Sequence, residues 1–204
     1  MDLSTAGRRA APALSYSPRD LTAVRVGGVA GIVAGALMVA HQVADMVIGG
    51  RTTDGPRALL HTAWLSALFL TVWGVRALQR PVRDRVAEVL LRIALAGLGA
   101  MVVGSAVEAV SLFVGAESES GDPPLPVLVV LIALVALLVV GLLSFAVAVL
   151  RAGVLPRSVG LVLLAGVLVK MFAPDPVPAL AILGLAVAWL AATMLRQVAA
   201  LDVA

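Results

Sequence analysis

The feature that most constrains this chain is a series of six long apolar segments. A bilayer core of about 30 Å requires about 20 apolar residues in helical form. Most of the segments reach that length, so each is predicted to be a membrane-spanning helix. The predicted helices cover residues 24–48, 58–78, 89–114, 125–150, 154–172 and 177–195. The fifth has the shortest strictly apolar part, and a re-entrant or interfacial element is the alternative for it.

Composition agrees with a membrane location. Of 204 residues, 61% are hydrophobic and 13% are charged, whereas about 25% of the residues in a soluble domain are charged. The sequence therefore predicts an all-α, polytopic integral membrane protein with a six-transmembrane-helix bundle. The chain has no cysteine, which excludes disulfides, thiolate metal sites and cysteine nucleophiles.

Three regions are predicted along the chain. Residues 1–20 are polar and rich in Ala, Ser and Pro, without the apolar core of a signal peptide. They are expected to form a disordered cytoplasmic tail. Residues 21–197 form the transmembrane domain, and residues 198–204 form a short cytoplasmic C-terminal tail.

The arginines predict the orientation. Lysine and arginine accumulate in the cytoplasmic segments of membrane proteins. With both termini inside, 12 of the 15 basic residues lie on the inner side, and Arg51, Arg57 and Lys170 lie outside. The inner residues are Arg8, Arg9, Arg19, Arg25, Arg76, Arg80, Arg83, Arg85, Arg92, Arg151, Arg157 and Arg196. We therefore expect an N-in, C-in protein of a bacterial inner or plasma membrane. Topology also explains the high pI, so the predicted partner is the lipid bilayer and not nucleic acid.

Ionisable residues within the apolar segments form the candidate site. His41 lies 16 residues beyond Arg25, and Glu108 lies 16 residues beyond Arg92. At 1.5 Å per residue, each lies about 24 Å from its arginine, in the outer third of the membrane. Asp45 follows His41 by one turn, on the same helix face. His61 and Lys170 are expected at a similar depth on the second and fifth helices.

Two interpretations of this set remain open. An outward-facing polar cavity could bind a small polar solute, a cation or protons, because ionisable residues inside a membrane often mark such pathways. Alternatively, the same groups pair with each other and orient the helices. A metal site or a haem held by His41 and His61 is a sharper version of the first interpretation. No HExxH motif supports a metal site, and no second histidine pair offers a transmembrane electron path for a haem. Neither a metal nor a cofactor is therefore predicted.

A stripe of glycines suggests close helix packing. Gly27, Gly31 and Gly35 recur every four residues on the first helix, and Gly104 gives the third helix a small face. Such stripes let helix backbones approach closely, within one chain or against a partner membrane protein.

The sequence contains no GxSxG, P-loop or dinucleotide-binding motif, so the protein is not expected to be an enzyme. The leading hypothesis is solute or proton-coupled transport, or ligand binding, at the polar cavity. The alternative is a non-catalytic accessory subunit of a larger membrane complex, which docks through the glycine face of the first helix.

Overall fold

The computed structural model describes residues 16–48, 55–113, 125–172 and 178–202. They form six α-helices, α1 (Pro18–Ile48), α2 (Gly55–Gln79), α3 (Arg85–Phe113), α4 (Leu125–Ala152), α5 (Arg157–Phe172) and α6 (Ala179–Asp202). A short 3₁₀ turn, Arg80–Val82, follows α2. Most of the predicted N-terminal tail, residues 1–15, lies outside the described residues, as do residues 203 and 204 of the C-terminal tail.

The first helix begins six residues before its predicted start. Ser17 caps it, since its Oγ accepts a hydrogen bond from the Asp20 N–H at 3.2 Å and its hydroxyl donates to the Asp20 carboxylate at 2.6 Å. Pro18 then occupies the first helical position, where its missing N–H costs nothing. The Tyr16 hydroxyl donates to the Leu78 carbonyl at 3.2 Å and ties this start to the end of α2. The polar residues 18–20, predicted to belong to the tail, are therefore helical.

The helices form a closed ring in chain order. Each helix packs against the next, and α6 packs against α1. All neighbours are antiparallel. In α1 and α6, for example, Gly28 lies against Leu195 and Gly35 lies against Gly184. One end of the ring carries residues around His41 and His61, and we call it the histidine end. The opposite end, near Arg80 and Arg151, is the arginine end.

The glycine stripe of α1 lies inside the chain. A methyl group added at Gly27 would lie 2.6 Å from the Cα of Gly74 on α2. At Gly35 it would lie 2.5 Å from the carbonyl oxygen of Gly184 on α6. At Gly31 it would meet the Ala191 Cβ on α6 at 2.6 Å. The protein's own helices therefore cover the stripe, and it is not a free docking face. The physical reason is that only glycine allows α1 to approach two neighbouring backbones this closely.

Glycines also allow α3 and α4 to pack closely against each other. At Gly104 an added methyl group would lie 2.9 Å from Leu134 Cδ1 on α4. Gly97 packs against the backbone of α4 at Leu137 and Gly141. Gly104 is thus a helix-packing residue, in the position that the small face of α3 suggests.

Ion pairs join neighbouring helices at the arginine end. The Arg80 Nη1, in the 3₁₀ turn, donates to Asp20 at 2.7 Å and links the end of α2 to α1. The Arg76 Nε donates to Glu88 at 2.9 Å and links α2 to α3. Arg151 lies 3.0 Å from Asp84 and links α4 to the start of α3. Several arginines that mark the cytoplasmic side in the sequence therefore also fasten the helices together.

Five of the described helices are long and apolar enough to cross a membrane. The exception is α5, which has 16 residues and so extends only about 24 Å. Large apolar side chains are exposed on the outer surface of every long helix, as expected where lipid and not water surrounds a bundle. The protein is a multi-pass helical membrane protein.

The close approach of α1 to α2 at Gly27 can be tested directly. We expect Gly27→Ala to destabilise the bundle by about 1–3 kcal/mol, the usual cost of overpacking, because the new methyl group meets backbone. Gly99→Ala is the matched control, since its methyl group would contact only Phe69 at 3.5 Å. Thermal unfolding in detergent measures both. Equal melting temperatures for the two variants would contradict the close crossing.

The start of α3 gives a pH-dependent prediction. Hydrogen bonds from the Ala87 N–H, the Arg151 guanidinium and the Val86 N–H hold the pKa of Asp84 below its usual range. A lowered pKa stabilises the fold above the ordinary aspartate pKa, and this contribution is lost as the pH falls through the lowered value. Asp84→Asn keeps a capping side chain but removes the charge. We expect it to lower the melting temperature at neutral pH and to match the wild type in acid. A constant difference across pH would contradict this.

Candidate functional site

The polar residues of α1 continue its buried stripe. Val24, Gly27, Gly31, Ala34 and Met38 are buried at spacings of three and four residues. The same spacing continues to His41, Gln42 and Asp45, which are half-buried. One helix face thus changes from apolar to polar at the histidine end while it still points toward the other helices.

The two histidines are in contact. His41 Nε2 lies 3.5 Å from Asp45 Oδ2, as the one-turn spacing predicts. The ring centroids of His41 and His61 are 5.6 Å apart, with an interplanar angle of 85°. His61 also stacks on Trp64, with centroids 4.9 Å apart and ring planes at 26°. We call His41, Asp45, His61 and Trp64 the histidine cluster.

Three buried nitrogens of the cluster have no hydrogen-bond partner among the described residues. They are His41 Nδ1, His61 Nε2 and Trp64 Nε1. Trp64 is only 5% exposed. A buried polar atom without a partner costs about 1–3 kcal/mol, so three in one cluster are a substantial cost. Buried polar groups without a partner are rare in native structures, so this cluster needs an explanation.

Neighbouring polar residues hold the cluster in place. Gln42 Oε1 accepts a hydrogen bond of 3.1 Å from the Leu180 N–H, in the first turn of α6. The Thr62 hydroxyl donates to the Ser105 Oγ at 3.2 Å and joins α2 to α3. Both bonds flank a histidine in the chain, so they fix the rotation of α1 and α2 at this depth. In the sequence, the only indication that Gln42 and Thr62 belong to the site was that they are polar.

Arg57 is another residue that sequence reasoning missed. It is 8% exposed and lies one turn before His61, on the same face of α2. The prediction placed it among the outer basic residues without a role. The spacing of four residues from His61 was the available signal.

Lys170 lies on the bundle-facing side of α5. Leu163, Gly166 and Val167 are buried, and Lys170 continues their stripe at spacings of three, four and seven residues. Its side chain is nevertheless exposed. The charges of Lys170 and Asp45 both act on His61, so Lys170 lies within electrostatic range of the cluster.

Glu108 also faces the bundle but does not reach the histidines. At 100° per residue, it lies about 40° from Gly104, which packs on α4, and about 60° from Ser105, which bonds to α2. The outward-facing residues Val103 and Val107 are each 64% exposed, on another side of the helix. The Glu108 side chain is exposed. Among the described residues, no hydrogen bond or ion pair connects it to His41 or His61.

The fourth helix separates from its neighbours toward the histidine end. Every residue from 125 to 133 is exposed, and nine residues cover all directions around a helix. Near the arginine end, by contrast, α4 packs on α5 through Leu150 and Gly160. Among the described residues, the first nine residues of α4 are therefore exposed on every side at the histidine end.

The geometry brings together three of the five predicted site residues, His41, Asp45 and His61. Lys170 lies within electrostatic range of them, whereas Glu108 is exposed and does not contact them through a hydrogen bond or ion pair among the described residues. Within the described parts of the chain, no group of three or more His, Cys, Asp or Glu side chains is placed to hold a metal ion.

Comparison with known protein families, with curated proteins and with solved structures finds no match. The function must therefore be argued from the site itself.

The His61–Trp64 stack predicts a spectroscopic signal. A protonated imidazole quenches the fluorescence of an indole that it contacts, and His61 stacks directly on Trp64. In a Trp73→Phe/Trp189→Phe background, we expect Trp64 emission to fall as His61 is protonated by acid. The added substitution His61→Gln should abolish the pH dependence. An emission titration that is unchanged in this variant would contradict the stacked arrangement.

Proposed function

We propose that the protein crosses the membrane six times, with both termini inside and the histidine end facing outward. The distribution of basic residues supports this orientation. Chain connectivity supports the sixth crossing. Near the end of α4, Arg151 pairs with Asp84 at the arginine end, whereas Leu180 of α6 bonds to Gln42 near the histidine end. The chain between these helices must travel the length of the bundle, and α5 carries it. A bacterial inner or plasma membrane is the proposed location.

At the outer side, we propose that the histidine cluster binds a small polar solute whose binding, or transport, is coupled to a proton. The observation that carries this proposal is the His41–His61 contact, with Asp45 beside it and unpartnered ring nitrogens on both histidines. Two helices contribute to it, so the cluster depends on tertiary packing and is not a local feature of one helix.

The chemistry of the cluster suits this role. Neutral imidazole offers one donor and one acceptor, whereas the protonated ring offers two donors. A proton taken up near Asp45 therefore changes both the charge and the hydrogen-bonding pattern that a solute meets. Lys170 and Glu108 add exposed charges of opposite sign at the same end of the bundle, which suits a small solute with polar groups of both kinds.

The accessory-subunit alternative loses its main support. It required the glycine face of α1 to be available to a partner protein, but α2 and α6 cover Gly27, Gly31 and Gly35. We therefore retain solute binding or transport as the proposed function, and a non-enzymatic role remains our prediction.

A binding screen tests the proposal. Purified protein is heated in the presence of amino acids, sugars, organic acids, amines and inorganic cations, at pH 6 and pH 8. A ligand at 100 times its Kd adds about 2.7 kcal/mol, or a shift of about 5–10 °C for a protein of this size. We expect at least one solute to give such a shift, with a pH-dependent midpoint, and His41→Gln and Asp45→Asn to abolish it.

Thr193→Val is the matched control, because the Thr193 hydroxyl donates to the Trp189 carbonyl of its own helix and to no other of the described residues. It should leave the solute-induced shift unchanged. The proposal is wrong if no solute stabilises the wild type, or if His41→Gln and Asp45→Asn respond like the control. A solute-induced shift that is identical at both pH values would remove the coupling to a proton.

A further inference from the structure

A groove at the arginine end, on the outer surface between α1 and α2, has a graded polarity. It has a volume of about 530 Å³ and is lined by Pro18, Arg19, Asp20, Thr22, Ala23, Val26, Trp73, Ala77 and Arg80. This volume falls within the usual range of ligand sites, about 300–1,000 Å³. The groove shares no residue with the histidine cluster, so the inference does not depend on the proposed function.

The two helices line the groove with the same order of residue types. Along α1, arginine, alanine and valine follow each other at Arg19, Ala23 and Val26. Along the 3₁₀ turn and α2, in the opposite chain direction, the order is arginine, alanine and tryptophan, at Arg80, Ala77 and Trp73. Because the helices are antiparallel, the polar ends coincide. The arginine and the last apolar residue of each wall are seven positions apart, so the groove descends about 10 Å from the arginines into the apolar region.

In the groove, the two alanines leave space for a ligand, and the two larger side chains beyond them provide an apolar surface. Ala23 and Ala77 are 5% and 3% exposed and form the floor at half depth. Beyond them, Val26 and Trp73 are 43% and 40% exposed. An elongated apolar chain could lie against these two side chains, whereas a small polar solute would leave them uncovered.

The polar end of the groove favours a phosphate. Arg80 donates to Asp20, which also accepts from the Ser17 hydroxyl. The Asp20 carboxylate is thus engaged, and Arg80 retains further N–H donors because guanidinium has five. Arg19 is exposed and forms no ion pair among the described residues. With two arginines against one aspartate, the lining has a net positive charge.

We infer that this groove is a binding site for one anionic phospholipid. Its phosphate lies between Arg19 and Arg80, and an acyl chain lies along Val26 and Trp73. Arginine forks match phosphate oxygens geometrically, and basic pockets near the ends of membrane helices are known to hold anionic headgroups. The charge excess favours an anionic lipid over a zwitterionic one.

Native mass spectrometry of the purified full chain tests the site. The probes are phosphatidylglycerol and phosphatidylcholine with identical acyl chains. We expect the wild type to retain one phosphatidylglycerol and to bind phosphatidylcholine more weakly. Arg19→Gln should weaken phosphatidylglycerol binding about fivefold, the effect of one arginine near an anionic headgroup. Arg19→Lys should restore most of it. The control Arg157→Gln removes an exposed arginine outside the groove and should change nothing.

A second pair of variants tests the apolar wall. Trp73→Ala should weaken phosphatidylglycerol binding, whereas Trp189→Ala should not, although the two tryptophans are 40% and 41% exposed. Soluble glycerol phosphate in large excess should not displace the lipid, because it lacks the acyl chain. Equal binding of the two lipids, equal effects of Arg19→Gln and Arg157→Gln, or displacement by glycerol phosphate would each overturn the inference.

Discussion

The packing of α1 between α2 and α6 determines where the rest of the structure lies. Three glycines at four-residue intervals let α1 approach both neighbours at backbone distance. This close approach fixes the rotation of α1 about its own axis, because only one face of the helix is small enough. His41 and Asp45 lie on the continuation of that face. The glycines at one depth therefore direct the polar side chains at another depth toward the interior of the bundle.

The two ends of the bundle use charge differently. At the arginine end, Asp20, Glu88 and Asp84 each pair with an arginine of a neighbouring helix. At the histidine end, the cluster contains buried nitrogens without partners among the described residues, and Lys170 and Glu108 are exposed although they face the bundle. Paired charges fasten helices, whereas unpartnered groups retain their capacity to bind. This contrast is why the functional proposal concerns the histidine end.

Several features could be predicted from sequence because they depend on local spacing. Helix type follows from apolar length, and the His41–Asp45 contact follows from a separation of four residues. The start of α1 could also have been predicted, since Ser17, Pro18 and Asp20 form a capping signature. The polar composition of that stretch instead led to the prediction of a disordered tail. The Gly27 stripe was recognised as a close-packing surface. Its partner was not predictable, because a small face fits another helix of the chain as well as a separate protein.

The sequence by itself determined the membrane location, the helical class and the approximate depth of each polar residue. These properties depend on apolar content and on the fixed rise of a helix. Only the tertiary structure decided which helices are neighbours, and hence that His61 contacts His41 while Glu108 stands apart from both. Depth is a property of one helix, whereas contact also depends on the rotation and partner of each helix. Those are set by side-chain packing between segments that are distant in the chain.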